Sequence, residues 1–450
     1  MRALVVMASK LLRSVHRGAR ESAFEQRVPG AGQRAPGRTR SASGSGRHAA
    51  PGSSWRGMQW PACWLLALLC GCNPGAPSRS DASKTDAEAV VSNAPTEADR
   101  LTALRENSHL PEFERVLAPR AFDFPRDHGP HPTFRHEWWY FTGHLDASTG
   151  EPFGFELTFF RFGLKPQAAI ESRPNASSWR ANQIYMAHFA VTDLERERFH
   201  VAERFSRDAL GLAGASANPF RVALDDWSLE AAPSPSTWRL VAADGSYSLE
   251  LQLDADSPMM LNGDAGFSRK SSVEGAASYY YSMPRMSARG TLTRDGKTFD
   301  VQGKVWLDRE WGSGALTGDQ QGWDWFALQL EDGSALMFYA LRTRDSKRDP
   351  HSAGTWLASD GTTRPLANDD VSIEVQSHWT SPRHVRYPAK WRLRVRSLNL
   401  DVEIEPRLAD QELNTSTRYW EGACLVKGTR DGREIAGKAY VELVGYAPAR

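Results

Sequence analysis

The chain has 450 residues and a formal net charge of +1, but its charges are unevenly distributed. Residues 1–57 hold eleven of the 55 basic residues and two of the 54 acidic ones, which leaves a net charge of −8 on the remainder. A body of this charge lacks the basic surface that nucleic acids require, so we expect no nucleic-acid partner.

The N-terminal residues are predicted to be an extension followed by an export signal. Residues 1–57 are rich in Arg, Gly, Ser and Pro without an apolar period, which predicts a disordered basic extension, or an untranslated one if synthesis starts at Met58. Residues 58–72 contain an apolar run too short to span a bilayer and end in Leu69-Cys70-Gly71-Cys72, which resembles a lipobox. We therefore predict a lipoprotein signal peptide and a membrane anchor on Cys72, with ordinary cleavage nearby as the alternative.

These features predict an exported protein of the cell envelope, periplasmic or attached to the outer membrane. Residues 73–119 are predicted to form a tether and an N-terminal arm, with helical periodicity only near 95–106. After cleavage, Cys72 and Cys424 are the remaining cysteines, and a lipidated Cys72 cannot form a disulfide. The fold must therefore be stabilised by burial, for which about 380 residues are sufficient.

From Phe122 onward, short aromatic and β-branched runs alternate with turn residues, a pattern typical of antiparallel strands. Asp295-Gly296, Asp332-Gly333 and Asp431-Gly432 are hairpin signals, because glycine tolerates the positive φ of tight turns. The sequence therefore predicts an all-β fold.

The chain also contains an internal repeat. Four positions recur 185 residues later, where Trp138, Tyr140, Phe141 and Leu145 are matched by Trp323, Trp325, Phe326 and Leu330. A glycine-rich closing hairpin that ends near Asp308 is likewise repeated near Glu442. We predict two homologous halves, 120–308 and 318–450, each an antiparallel meander curled into a barrel, with an insertion at 256–278 in the first half.

Several motifs spread over 120–447 carry a family resemblance. They are His136-Glu-Trp-Trp-Tyr-Phe-Thr-Gly143, Ala187-His188-Phe-Ala, Trp306-Leu-Asp308-Arg-Glu-Trp-Gly312, Gly322-Trp-Asp-Trp-Phe326, and Tyr419-Trp-Glu-Gly422 with Tyr440-Val-Glu442. As a set they resemble the AttH-like double-lipocalin family, which includes the carotenoid 1,2-hydratases and many proteins labelled secreted hydrolases. The resemblance implies two tandem lipocalin-like barrels. In the hydratase branch it also implies cofactor-free addition of water to a C=C bond of a long apolar isoprenoid.

Hydration of an unactivated double bond requires a proton donor and aromatic faces that stabilise a carbocation. The resemblance implies that Asp308 is the acid and that Trp306 assists it. Two further family positions, usually a histidine and an aromatic residue, map to Tyr279 and Tyr281, so the usual histidine is absent. Burial at an apolar barrel mouth would keep Asp308 protonated. The alternative is a structural Asp308 that pairs with an arginine or braces a turn.

The candidate ligand contacts are Trp138, Tyr140, Glu137, His188, Trp323 and Trp325. The aromatic residues among them lie on strands expected to line an internal barrel cavity, although packing in the barrel core is their alternative role. For His188 the alternative is a structural, hydrogen-bonded histidine. No two histidines have metal-ligand spacing on one element, so we predict no metal or other cofactor.

Three functions remain open from the sequence. The preferred one is binding of a terpenoid or lipid with hydration of its double bond by Asp308. The second is a carrier that holds such a ligand near the membrane, and the third is a secreted hydrolase, which the missing Gly-x-Ser-x-Gly motif disfavours. A buried Asp308 beside Trp306 and Tyr281 at a cavity would favour the enzyme, and an exposed, arginine-paired Asp308 would favour the carrier.

Overall fold

The computed structural model describes residues 113–166, 181–232, 234, 236–314 and 316–446. The predicted N-terminal extension, signal peptide and lipidated Cys72 lie outside these ranges, as do most of the tether and the helical period near 95–106. Within them, no helix combines the length and the hydropathy needed to cross a membrane.

The described residues form two antiparallel sheets. The first contains β1 (His136–Ala147), β2 (Pro152–Gly163), β3 (Gln183–Asp193), β4 (Arg198–Arg207), β5 (Ala213–Ala217), β6 (Phe220–Leu224), β7 (Trp227–Ala231), β8 (Thr237–Asp244), β9 (Tyr247–Asp254), β10 (Met260–Leu261), β11 (Phe267–Arg269), β12 (Ala277–Arg294) and β13 (Lys297–Gly312). The second contains β14 (Gln320–Leu330), β15 (Ala335–Thr343), β16 (Ala353–Leu357), β17 (Thr363–Leu366), β18 (Val371–Thr380), β19 (Arg386–Val395), β20 (Leu400–Pro406), β21 (Glu412–Asn414), β22 (Arg418–Arg430) and β23 (Arg433–Val444). Short 3₁₀ helices are present at Arg126–His128, Asn368–Asp370 and Arg396–Leu398.

The strand order shows how each sheet curls. In the first sheet it is β4-β3-β2-β1-β13-β12-β9-β8-β7-β6-β5, with β10 and β11 paired to β12. The terminal strand β4 lies against β5 and β6, so this sheet is a nearly closed barrel. The second sheet has the order β17-β16-β15-β14-β23-β22-β20-β19-β18, with β21 paired to β22, and forms a half-barrel. The predicted all-β fold with two tandem barrel-like halves is confirmed.

Alternation along β1 separates two sets of aromatic residues, because successive side chains point to opposite faces of a strand. Trp139 and Phe141 pack in the core of the first half. Tyr140 lies on the other face, in a separate cluster with Trp325 of β14. This cluster lies between the sheets, so the prediction of a cavity inside one barrel is wrong. The ligand-sized space lies where the outer faces of the two halves meet.

The repeat places equivalent residues at equivalent positions of the two sheets. Tyr140 of β1 pairs with Asp308 of β13, and Trp325 of β14 pairs with Glu442 of β23. Because these strand pairs face each other across the interface, each pair places an acidic residue and an aromatic residue in the space between the halves.

Close contacts hold the two halves face to face. A Cβ atom at Gly154 of β2 would lie 2.8 Å from the Cβ of Ala423 in β22, which is too close for any residue but glycine. Nearby, the hydroxyl of Thr192 donates to Gln411 Oε1 at 2.8 Å, which adds a polar contact between the halves. The two halves are therefore in direct contact at this point of the interface.

Candidate active site

A cavity of about 190 Å³ lies between the two sheets. It is far larger than the roughly 10–15 Å³ that one water molecule needs. The first half lines it with Trp138, Tyr140, Phe160, Phe162, Ile184, Met186, His188, Phe205, Lys270, Tyr280, Asp308 and Glu310. The second half, with the segment before β14, adds Leu316, Trp323, Trp325, Tyr339, Leu341, Ser416, Thr417, Tyr419, Glu442 and Val444. Phe205 of β4 is the most exposed of these apolar residues, at 38%.

Asp308 lies in the wall of this cavity and is only 4% exposed. Its Oδ1 accepts hydrogen bonds from the Ser282 hydroxyl at 2.5 Å and from Trp306 Nε1 at 2.7 Å. The Tyr280 hydroxyl donates to Oδ2, and Trp325 Nε1 in turn donates to the Tyr280 oxygen at 3.1 Å. All three donors to Asp308 are uncharged, so no cation offsets the burial of this carboxyl group through these bonds.

Burial raises the pKa of Asp308 to about 7, although the three hydrogen bonds act in the opposite direction. A large fraction of Asp308 is therefore protonated at neutral pH, which an exposed aspartate would not be. Of the two arrangements predicted for this residue, the structure contains the buried one beside Trp306. Its neighbour Arg309 forms an ion pair with Glu137 on the other face of the sheet.

Tyr281 and Tyr279, the other two candidate catalytic residues, do not reach the cavity. The Tyr281 hydroxyl is 2.6 Å from His128 Nδ1 inside the first barrel, and the Tyr279 hydroxyl donates to Ala118 O at 3.0 Å. The register of β12 against β13 explains this difference: Ser282 lies opposite Asp308, so alternation places Tyr280 on the cavity face. The tyrosine beside Asp308 is thus Tyr280, one residue from the predicted position.

An ion pair lies next to Asp308. Lys270 Nζ is 3.1 Å from Glu310 Oε1, and both side chains are buried. Burial acts to lower the pKa of Lys270, but Glu310 raises it above its ordinary value, so the amine stays charged. Its ammonium group lies 4.0 Å from the centroid of the Tyr339 ring. Lys270 follows β11 in the predicted insertion, which therefore contributes the cation of this cavity wall.

The second half contributes further acidic groups. Trp323 Nε1 donates to Glu442 Oε2 at 3.2 Å, and burial raises the pKa of Glu442 to about 7. Beside it, Glu421 accepts a hydrogen bond from the Tyr140 hydroxyl. Burial, with Glu442 and Glu156 nearby, raises the pKa of Glu421 well above its ordinary value. At neutral pH Glu421 therefore keeps its proton, and Glu442 is partly protonated.

Glu137 lies outside the cavity, so its prediction as a ligand contact needs correction. It points into the first barrel, where both its oxygens are bound, one by Arg161 and the other by Arg309. Burial acts to raise the pKa of Glu137, but the two guanidinium groups hold it well below its ordinary range. Glu137 alternates with Trp138 along β1, which is why Trp138 faces the cavity and Glu137 does not.

The other predicted contacts are brought together. Trp138, Tyr140, His188, Trp323 and Trp325 all line the cavity, and Trp306 lies behind Asp308 as its hydrogen-bond donor. Among the described residues, no group of three or more His, Cys, Asp and Glu side chains has the arrangement of a metal site.

The family profile described as AttH-like matches residues 115–446. The chain belongs to the AttH-like family. A solved structure from Nitrosomonas europaea, described as an AttH protein, is 35% identical to this AttH-like chain, with a TM-score of 0.66. The match covers 74% of this chain and 100% of that one, and it confirms the predicted family and the lipocalin-like fold.

Two curated relatives of this AttH-like chain are named for reactions. The kievitone hydratase of Fusarium solani subsp. phaseoli is 24% identical over 217 residues, which are 46% of this chain and 60% of the relative. A dehydratase of Emericella nidulans, AsqC, is 24% identical over 228 residues, 46% of this chain and 61% of the relative. The chain thus spans about 60% of the length of these relatives. One of these relatives is thus named for a hydration and the other for a dehydration.

Several cavity residues of the AttH-like chain were not predicted from its sequence. Glu442 was not among the predicted site residues, although its repeat equivalence to Asp308 places it on the corresponding strand face. Tyr280 could have been found from the cross-strand register with β13, had that register been known. Lys270 carried no local signal, and the motif that contains Tyr419 did not mark this residue as a cavity residue. Both positions depend on how an insertion and a second sheet pack against the first.

Replacement of Glu156 by glutamine is expected to stabilise the protein at alkaline pH. Burial raises the pKa of Glu156 well above its ordinary value, so its contribution to stability is complete below the unfolded-state pKa and is lost as the pH rises towards the folded-state pKa. Each such carboxyl group lowers the free energy of unfolding by up to about 1.4 kcal/mol per pH unit in that window. The midpoint temperature of thermal unfolding should therefore differ less between about pH 5 and about pH 9 in Glu156→Gln than in wild type.

The exposed Glu434 provides the control for this comparison. Glu434→Gln should leave the difference between the two pH values unchanged. An equally large difference in Glu156→Gln and wild type would mean that Glu156 ionises in the folded protein without penalty.

Proposed function

We propose that this protein adds water to a carbon–carbon double bond of an apolar molecule held between its two halves, or removes water from the corresponding alcohol to form that bond. The observation that carries the proposal is the buried Asp308, with its raised pKa, in the wall of an aromatic cavity. A carboxyl group that keeps its proton at neutral pH is a suitable acid for this chemistry. The hydratase and dehydratase among its relatives support the same reaction class.

In the hydration direction, Asp308 donates its proton to one alkene carbon, and the π electrons form the new C–H bond. The rings of Tyr140, Trp323 and Trp325 line the cavity and attract the positive charge that develops on the other carbon. A water oxygen then attacks that carbon, and one of its O–H protons leaves to an acceptor at the cavity, which gives the neutral alcohol. Once Asp308 is ionised, the Tyr280 hydroxyl donates to its Oδ2 and stabilises the carboxylate. Dehydration follows the same steps in reverse.

The substrate class that we propose is a hydrophobic isoprenoid or a similar lipid. The cavity wall is mostly aromatic and aliphatic, which suits an apolar or ring-bearing molecule. Export, a lipid anchor on Cys72 and a location in the cell envelope remain part of this proposal, supported by the sequence of residues 58–72. An anchored enzyme would meet such substrates at the membrane surface.

The test is incubation of the purified full chain with geraniol, farnesol and squalene in ¹⁸O-labelled water. Mass spectrometry then measures the gain of one labelled water in the product. Quenching of tryptophan fluorescence reports binding, because three tryptophans line the cavity. A ligand that binds without gaining or losing water would favour the alternative function, a non-catalytic carrier. Hydrolysis of ester substrates in place of hydration would favour the third, a secreted hydrolase.

The rate of hydration is expected to fall as the pH rises above neutrality. The reaction uses the protonated form of Asp308, whose pKa is raised to about 7, so kcat/KM should decrease by about tenfold per pH unit above that value. Glu442 also faces the cavity and has a pKa raised to about 7. Glu442→Gln should therefore be compared with wild type: loss of the alkaline decrease in this variant would assign the titration to Glu442 and contradict the role of Asp308.

A further inference from the structure

A second cluster of hydrogen-bonded side chains lines the same cavity. It shares no hydrogen bond with Asp308 and its three donors. His188 Nδ1 lies 2.6 Å from the Tyr419 hydroxyl, and His188 Nε2 lies 2.9 Å from Glu203 Oε1. Ser416 binds the same carboxylate through its backbone N–H at 3.0 Å and through its hydroxyl at 2.6 Å. His188, Ser416 and Tyr419 are cavity residues.

The direction of each hydrogen bond follows from the charge of Glu203. Burial acts to raise the pKa of Glu203, but the bonds from His188 and Ser416 hold it below its ordinary value, so Glu203 is a carboxylate that only accepts. His188 Nε2 must then carry the proton that it donates to Glu203. Its Nδ1 consequently accepts from the Tyr419 hydroxyl, which leaves lone pairs of the Tyr419 oxygen for a donor in the cavity.

The group is assembled from both halves. His188 and Glu203 lie on the adjacent strands β3 and β4. Tyr419 lies at the start of β22, and Ser416 lies in the turn before that strand. Phe160 packs against the His188 ring at a centroid distance of 5.4 Å and helps to exclude bulk water from it. An ordered carboxylate–imidazole–phenol chain therefore ends at the cavity.

We propose that Tyr419 is a second catalytic residue of this site, which receives a proton from the attacking water and passes its own to His188. This inference rests on the proposed function. His188 and Glu203 are positioning residues in it, because they act through Tyr419.

The proton transfer at Tyr419 completes the reaction that Asp308 begins. Asp308 transfers a proton to carbon, and a water lone pair forms the C–O bond at the cationic carbon. One O–H bond of that water then breaks as its proton moves to the Tyr419 oxygen, while the Tyr419 proton moves to His188 Nδ1. The products are the alcohol, an Asp308 carboxylate and a His188 imidazolium, and a proton returned through cavity water restores the starting state.

The surrounding charges favour transfer through Tyr419 to His188 over a phenolate. Burial raises the pKa of Tyr419 well above its ordinary value, and the Glu203 carboxylate acts in the same direction. A lasting negative charge on Tyr419 is therefore disfavoured. The Glu203 carboxylate, by contrast, stabilises the positive charge that forms on His188.

The test is Tyr419→Phe in the full chain, which removes one oxygen atom and keeps the ring. Its substrate is the isoprenoid, among geraniol, farnesol and squalene, to which wild type adds water. We expect kcat to fall by roughly 10²-fold or more, with KM and fluorescence-measured binding within about threefold of wild type. Glu203→Gln should also lower kcat without raising KM. A purely structural contact between the halves would instead lower thermal stability and leave the kcat of the folded protein unchanged.

Tyr387→Phe is the matched control. The Tyr387 hydroxyl also donates to a buried carboxylate, Glu412, at 3.0 Å, but it lies in the core of the second half. This variant should keep the kcat of wild type. If wild type adds water and Tyr419→Phe keeps kcat within about threefold, the role of Tyr419 is overturned while the proposed function stands. Failure of wild type to add water to any of the three compounds would overturn the proposed function itself.

Discussion

Replacement of Asp308 by asparagine is expected to lower kcat/KM for water addition by roughly 10²–10⁴-fold, the usual contribution of a general acid. The asparagine oxygen can still accept from Ser282 and Trp306, so the cavity wall should keep its shape. The amide has no proton acidic enough to transfer to carbon. Ligand binding, measured by tryptophan fluorescence, should therefore stay near the wild-type value while the labelled product disappears.

The same experiment distinguishes the enzyme from the carrier. Asp300 lies on the same strand, β13, but its side chain is exposed, so Asp300→Asn controls for an aspartate change on this strand. The Asp300→Asn variant should add water to the substrate at the wild-type rate. Full activity in Asp308→Asn would remove Asp308 from the mechanism, and binding without chemistry in both wild type and variant would leave a carrier with a structural Asp308.

Replacement of Glu137 by alanine is expected to destabilise the protein by about 3–5 kcal/mol, the typical effect of removing one partner of a buried ion pair. Glu137, Arg161 and Arg309 are all fully buried, and the carboxylate lies between the two guanidinium groups. Without it, both positive charges remain in the first barrel without their acidic partner. Denaturant titration of the free energy of unfolding measures the effect.

An exposed ion pair provides the control for the effect of Glu137→Ala on stability. Arg239 and Glu250 are 2.8 Å apart on the surface of the first half, and Glu250→Ala should change stability by less than about 1 kcal/mol. Glu137→Gln keeps the shape of the side chain, so its loss of stability should lie between those of Glu137→Ala and Glu250→Ala. A Glu137→Ala protein as stable as Glu250→Ala would show that Arg161 and Arg309 are satisfied by backbone carbonyls alone.

The family and the all-β fold could be predicted from the sequence because their signals are local. Hairpins are encoded by dipeptides such as Asp295-Gly296, and Asp295 and Gly296 indeed have positive φ in the structure, at 50° and 78°. Trp306 and Asp308 are two residues apart, so alternation along a single strand puts both on one face. These features depend on residues within a few positions of each other.

The assignment of Tyr281 to the site failed for a physical reason. A shift of one residue in the register between two strands moves every side chain to the opposite face. The family spacing located the correct strand, β12, but only its pairing with β13 shows that Tyr280 is the residue beside Asp308. Glu137 and Trp138 differ in the same way along β1.

The sequence by itself determined the strands, the repeat, the family and the choice of Asp308 as the candidate acid. The tertiary structure decided where the cavity lies, how Lys270 enters it and which groups meet in the chain from Glu203 through His188 to Tyr419. These contacts join residues far apart in the sequence, from an insertion and from two sheets. They exist only because the outer faces of both halves are apolar enough to pack together and bury the carboxyl groups between them.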